Sequence, residues 1–479
     1  MKLTGNWVGG GKAFLGDLRR LCGGRPCLLA SSVLLLGVLA SLADHFPQYG
    51  GSDASASRPV PEWLTAPLAG ARQWLFDGYQ RTLPRQTSGQ AVVIVAIDEK
   101  SLNKHGQWPW SRDKLAALVD AVARKRPAAL AMVPVLPEVD PTSPERVAAN
   151  LPASQAALAK ALARLPSHEA RLAQSLRRLP SVLGARASDF PLYGVSAGLK
   201  ARALVVRGAD GASSLRNYAH VQASLPGLQS AARGQGVLLA PRDAFSVERR
   251  VPLVVAINGR PVAGLALEML RVAGGLPSIE LEVGARGLES AQVGDLRVPL
   301  QGDGEAWLHF APALAGEHRY LSASELLSGR IAAEKVAGKM VLVGPSALDA
   351  ADWRMTALGE RVPEVEIHAQ QIESLLDGRF LWRPWWAKWL EAGAALLLGA
   401  ALLASALRGP LSDLRRRWPA IMVFLALGFG AALVAAGFAV FWLIGLLLDF
   451  LPATVGLVCA SLCLARASPP PRFGKTARL

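Results

Sequence analysis

The sequence predicts a membrane protein: an outer α/β domain with a largely parallel sheet and a hairpin-rich insert, plus four transmembrane α-helices. Three observations carry this. Apolar residues make up 51% of the 479-residue chain and charged ones only 19%, a balance too apolar for an ordinary soluble protein. The apolar excess is gathered at 26–43, 389–407, 419–437 and 438–464, each long enough to weigh as a bilayer span. Between the first two, short β-branched runs alternate with helical patterns, as in strands joined by helical crossovers.

The formal charge of +15 first suggests a polyanion partner, but its placement argues otherwise. Residues 1–25 carry +4, the loop 408–417 carries +3 and the tail 465–479 carries +4, so most of the excess flanks apolar runs on one side. That is the positive-inside pattern, and it excludes nucleic acid as the reason for the charge. It places a basic leader (1–25), a loop (408–417) and a tail (465–479) in the cytoplasm, and residues 44–388 outside, with a tight turn near Gly437 joining the last two spans. Two readings of 26–43 stay open, a retained anchor or a signal peptide cleaved after Ser-Leu-Ala at 41–43. The four cysteines, at 22, 27, 459 and 463, all lie in or beside spans. The outer domain therefore relies on its core and not on disulfides.

Along that domain, a helix is expected at 63–80 and a strand buried on both faces at 91–97 (AVVIVAI). A helix at 112–125, a strand at 128–135, amphipathic helices near 153–178 and a short strand at 180–184 follow. The stretch 245–310 alternates and contains Asn258-Gly259 and Gly302-Asp303-Gly304, so it reads as hairpins. KMVLVG (339–344) is one more buried strand, and 364–378 a helix closed by Gly378.

Candidate site residues cluster where strands end. Asp98 closes the first strand, and Ser101 lies in the turn after it. Asp98 is readable as a helix cap, a ligand contact or an ion-pair member. Ser111 looks like an N-cap, which puts Arg112 in a first helical turn where the macrodipole disfavours a cation. A negative neighbour is expected, Asp98 or Glu99 first and a bound anion next. Trp108, Pro109 and Trp110 form a structural clamp on that turn, and a ligand edge only secondarily. Ser346, in the Gly344-Pro345-Ser346 turn, falls on the same sheet edge. No Gly-rich phosphate loop, HExxH or GxSxG motif occurs, and no His/Cys spacing suits a metal. Neither a cofactor, a metal nor catalysis is expected. Trp382, Trp385, Trp386 and Trp389 form an interfacial belt. Asp449, near the centre of the last span, needs a partner or a proton.

IDEKSLNKHGQWPWSR (97–112) resembles the opening signature of the type-2 CHASE domain, a sensory module associated with cyclases and histidine kinases. The likeness continues through SASELLSGR (322–330), GKMVLVGPSA (338–347), Asp352 to Thr356 and VEIHAQQIESLLDGRFLWRPWW (365–386). The resemblance implies a bacterial inner-membrane receptor with a periplasmic sensory domain. Its partners would be the lipid bilayer and a separate signalling protein, a cyclase, kinase or regulator, and a homodimer stays open. This chain departs from the family pattern in three respects. Some fourteen residues follow the last apolar run, no carboxylate occupies 131–137, and Ala357 and Glu364 stand where Pro and Gly are usual. An envelope scaffold that kept the fold is the alternative, and a periplasmic enzyme a more distant one.

Overall fold

A computed structural model describes residues 62–86, 91–192, 198–208, 214–239, 246–284, 287–313, 318–408 and 419–466, with six more between 30 and 39. The first apolar run, the basic leader and the tail thus fall largely outside the described residues. The chain divides into two compact units, residues 80–382 and the remainder.

The larger unit is built on one mixed sheet. Its strands are β1 (Val92–Ile97), β2 (Ala129–Met132), β3 (Ser181–Ser188), β4 (His220–Gln222), β5 (Gly234–Val237), β6 (Tyr320–Ser322) and β7 (Met340–Pro345). The order is β6-β1-β7-β2-β3, after which β3 pairs with β5 in parallel and with β4 antiparallel. All pairings except β3 with β4 are parallel, as the strand–helix alternation predicts. Every residue of β1 is buried. Val92, Ile94 and Ala96 enter one core, while Val93, Val95 and Ile97 enter another. Successive side chains leave a strand on opposite faces, so a strand with two covered faces must be apolar throughout. The expected strand at 128–135 is shorter because Pro134 offers no amide to the ladder.

Helices α1 (Glu62–Thr82), α2 (Glu99–His105), α3 (Arg112–Ala123), α4 (His168–Arg177), α5 (Leu265–Ala273) and α6 (Glu364–Leu376) matter below. α3 and α4 bury Leu115, Leu118, Val119, Val122, Leu172 and Leu176 on one face of the sheet. α5 and α6 cover the other with Leu267, Met269, Leu270, Ala369 and Ile372. α5 corrects the reading of 245–310 as hairpins alone. Eight of its nine residues are buried, so no polar stripe betrayed it in sequence. The Asn258-Gly259 hairpin is present, joining Val254–Ile257 to Arg260–Ala263 with both turn residues at positive φ (49° and 75°). Gly302 to Gly304 leads instead to a long-range pair, Glu305–Trp307 against Arg250–Pro252.

The smaller unit contains most of α1 together with α7 (Ala387–Arg408), α8 (Pro419–Ile444) and α9 (Leu451–Arg466). Among the described residues one helix, Ala420–Ile444, is long and apolar enough to cross a membrane, and Leu451–Ala465 is a shorter apolar helix. The expected division into 419–437 and 438–464 is therefore corrected. The helix runs through Gly437 and stops at Gly445, whose φ of 70° only glycine adopts freely. Asp449 then lies at the start of α9 and not at mid-span. Its Oδ1 accepts the Leu451 amide (3.0 Å), capping the helix, and its Oδ2 accepts Arg72 Nε (2.8 Å). Its own amide donates to Glu391 Oε1 (2.6 Å), and Arg383 grips both oxygens of Glu391 (2.7 and 3.0 Å). Trp385 and Trp389 are exposed and Trp386 is half-buried in this unit, while Trp382, exposed, closes the larger one.

Candidate functional site

Parallel order fixes where a site can form. The carboxyl ends of β1, β7, β2 and β3 meet at one edge, and the loops leaving them part around a cavity of about 580 Å³. The loop 108–112 supplies one wall, and residues 133–142, following β2, another. Arg186 comes from β3, Gln222 from β4, Pro345 from β7, and Ala350 and Asp352 from the segment after it. Glu364 and Val365, the first turn of α6, complete it.

Arg112 is buried in this wall. Its guanidinium Nη2 donates to the Glu138 carbonyl (3.0 Å) and its amide to Asp140 Oδ2 (2.7 Å). The expected negative neighbour exists, but it is Asp140, not Asp98 or Glu99. Glu99 accepts the Leu348 amide instead (2.9 Å). Burial pulls the Arg112 pKa down, against the charges of Asp140, Glu169 and Glu138. Burial also opposes ionisation of Asp140, but Thr142, the Arg112 amide and His168 outweigh it and hold that carboxyl below its ordinary value. Asp140 fastens the loop to α4 as well, through His168 Nδ1 at 3.0 Å.

Across the cavity, Arg186 Nη2 donates to Glu364 Oε2 (3.1 Å), and its Nη1 lies 3.6 Å from Asp352 Oδ2. Glu364 is only 5% exposed. Its Oε1 has no hydrogen-bond partner in the protein; His368 Nε2 is 3.8 Å away, beyond bonding range. Burial alone would raise the Glu364 pKa, but neighbouring His368, Arg186 and Arg354 prevail and hold it low, so it is ionised at neutral pH. Asp352 is about half exposed and also accepts Arg354 Nη2 (2.9 Å).

The other candidates lie elsewhere. Asp98 caps α2, accepting the Ser101 amide (2.8 Å) and hydroxyl and the Ser322 hydroxyl (3.0 Å). Ser101 in turn accepts the Ser324 amide (2.9 Å). This polar knot ties α2 to the segment after β6, and neither residue lines the cavity. Ser346 donates its amide to Ile97 O (3.1 Å) and leaves the cavity wall to Pro345. Trp110 is buried, with Nε1 on Gly106 O (2.7 Å), while half-buried Trp108, preceding a cis Pro109, lines the cavity. The clamp and the ligand edge are thus two tryptophans of one loop. Glu138, Asp140, Arg186, Asp352 and Glu364 escaped the sequence reading. Only Glu364 carried a signal, as an acid where the resembled pattern has glycine.

Neither histidine nor cysteine lines the cavity, so the arrangement suits binding better than covalent chemistry. A concave, carboxyl-edge site on a parallel sheet, opposite a hairpin-rich insert, defines a ligand-binding sensory module. The CHASE2 domain family model matches residues 60–406. The chain belongs to that family, whose domains are extracellular sensory modules. Neither curated proteins nor solved structures gave a match.

Proposed function

We propose that this is a multi-pass protein of the bacterial inner membrane whose periplasmic domain, 44–388, detects a small ligand or an envelope component. It passes the signal to a separate protein, a cyclase, kinase or regulator. The observation that carries this reading is the cavity. It lies where α/β sheets bind ligands, and it holds a buried carboxylate with an oxygen left unbonded. Basic residues flanking the apolar runs support the orientation. Support for four spans comes from α8, exposed in Phe424, Leu427, Phe429, Trp442 and Leu443 as lipid or a neighbouring helix would require, and from apolar α7 and α9 beside it. The same outward face supports a partner gripped within the bilayer. Gentle purification from the native membrane followed by identification of what co-purifies tests this. A cyclase, kinase or regulator is the expected companion. Recovery of the chain alone, or only with itself, across several mild detergents would transfer weight to the scaffold reading.

A further inference from the structure

The cavity's charge inventory says which ligand it suits. Six ionisable side chains line it: Arg112 and Arg186 against Glu138, Asp140, Asp352 and Glu364. The acids exceed the bases by two, in a chain whose formal charge is +15. Acid excess here is therefore local, not background.

An anionic ligand finds no opening. Arg112 is held by the Glu138 carbonyl and lies beside Asp140. Arg186 already serves Glu364 and faces Asp352. The amino end of α6, which would otherwise attract an anion, carries Glu364 and Glu366 in its own first turn. An incoming carboxylate or phosphate would have to displace one of the protein's own carboxylates and sit among the rest.

A cation meets the opposite situation. Glu364 presents Oε1 with no protein partner, and a buried acceptor left so costs free energy that a donor would recover. Asp352, about half exposed, stands across Arg186 with accessible oxygen surface. Trp108, Val133, Val135 and Val365 give the cavity aromatic and aliphatic walls, suited to the body of an organic cation and to its attraction by an indole face. Among the described residues no three His, Cys, Asp or Glu side chains gather as a metal cage. Just outside, Arg354 and Glu248 cancel one another and leave the excess unchanged.

We propose that this cavity recognises a small organic cation, an amine or guanidine on a short apolar body, with Glu364 and Asp352 as its anionic partners. The inference rests on the sensory reading above and names the ligand class for that site.

The test uses the full chain in phosphatidylcholine nanodiscs, with agmatine and spermidine as cationic probes and succinate and glutamate as anionic ones. Calorimetry should show saturable binding of a cationic probe that weakens with salt. Glu364→Gln and Asp352→Asn should each weaken it about tenfold or more, the loss of one charge-assisted hydrogen bond. Circular dichroism and unliganded melting of each variant establish that it folds, and the half-exposed Asp352 keeps the test alive should Glu364→Gln not fold. Binding of succinate or glutamate that disappears in Arg186→Gln would overturn the cation assignment while keeping the cavity as the sensory site. If no probe of either charge bound, the ligand class and the small-ligand reading of the cavity would both fall.

Discussion

The two ends of α6 treat charge in opposite ways. At its start, Glu364 shares one oxygen with a partly exposed Arg186 and leaves the other open to a cavity. Farther along, Glu366 accepts Arg319 (2.7 Å) and the Gln370 amide (2.9 Å), while Glu373 lies 3.1 Å from both Arg85 and Arg319. Asp377 takes the other side of Arg85 at 2.8 Å. Arg85 and Arg319 are fully buried there. One helix thus has a closed ionic end that fixes structure and an open end whose capacity is left for something else. The comparison teaches that burial and charge alone do not mark a site. The discriminating feature is a buried group whose partners have not been completed.

That contrast can be broken or sharpened by experiment. The largest effect is expected from Arg319→Leu. It leaves Glu366 and Glu373 buried with incomplete compensation and should cost about 3–5 kcal/mol, lowering the outer domain's melting temperature by several degrees or preventing folding. A shift under one degree would show that the inner cluster is not closed at all.

His309 belongs to the same end, with Nε2 3.0 Å from Leu83 O. Burial is the main reason its pKa falls from 6.5 to about 4, aided by Arg85 and Arg379 and opposed by that hydrogen bond. The folded state therefore refuses a proton that the unfolded chain accepts. Stability is complete above pH 6.5 and drains as the pH falls toward 4. Between pH 7 and 5 the loss should be about 2 kcal/mol, and His309→Gln should remove that component. Parallel melting curves for the two proteins across this window would contradict it.

At the open end the effects shrink. Arg112→Leu removes the bond to the Glu138 carbonyl and a nearby counter-charge, but Asp140 keeps Thr142, His168 and a backbone amide. A cost of about 1–2 kcal/mol is expected in chemical unfolding, less than at the closed end. Arg186→Gln should cost under about 1 kcal/mol because the guanidinium is partly solvated. An Arg186 effect exceeding that of Arg319 would invert the comparison.

Much of the fold was legible because its signals are local. AVVIVAI had to be buried on both faces, Asn258-Gly259 had to turn, and Gly378 had to end α6. WPWSR could be read as a clamp, since two indoles around proline leave little else to do. What could not be read depends on sheet order. Arg112, Arg186, Asp352 and Glu364 come together only because β7 lies between β1 and β2, with β3 beyond them. No spacing along the chain encodes that. Asp140 was missed because its role is conferred by Arg112, 28 positions away. α8 was divided too early because Gly437 and Gly445 sit in equally apolar surroundings, and only the backbone distinguishes a glycine within a helix from one that ends it. α5, buried nearly all round, offered no amphipathic period to find.

The closed end of α6 also bears on heat. Stripping water from guanidinium and carboxylate groups carries a penalty that shrinks on warming, because their hydration is entropically unfavourable, whereas the gain from apolar burial levels off. Arg85, Arg319, Glu366 and Glu373 should therefore burden the domain most in the cold and least near its melting point. Replacing the cluster with well-packed leucines would raise stability at room temperature by more than it raises the melting temperature in proportion. The ionic end of α6 flattens the stability curve on its warm side, so the frame around the cavity holds its shape over a wider span of growth temperatures than its room-temperature stability alone would suggest.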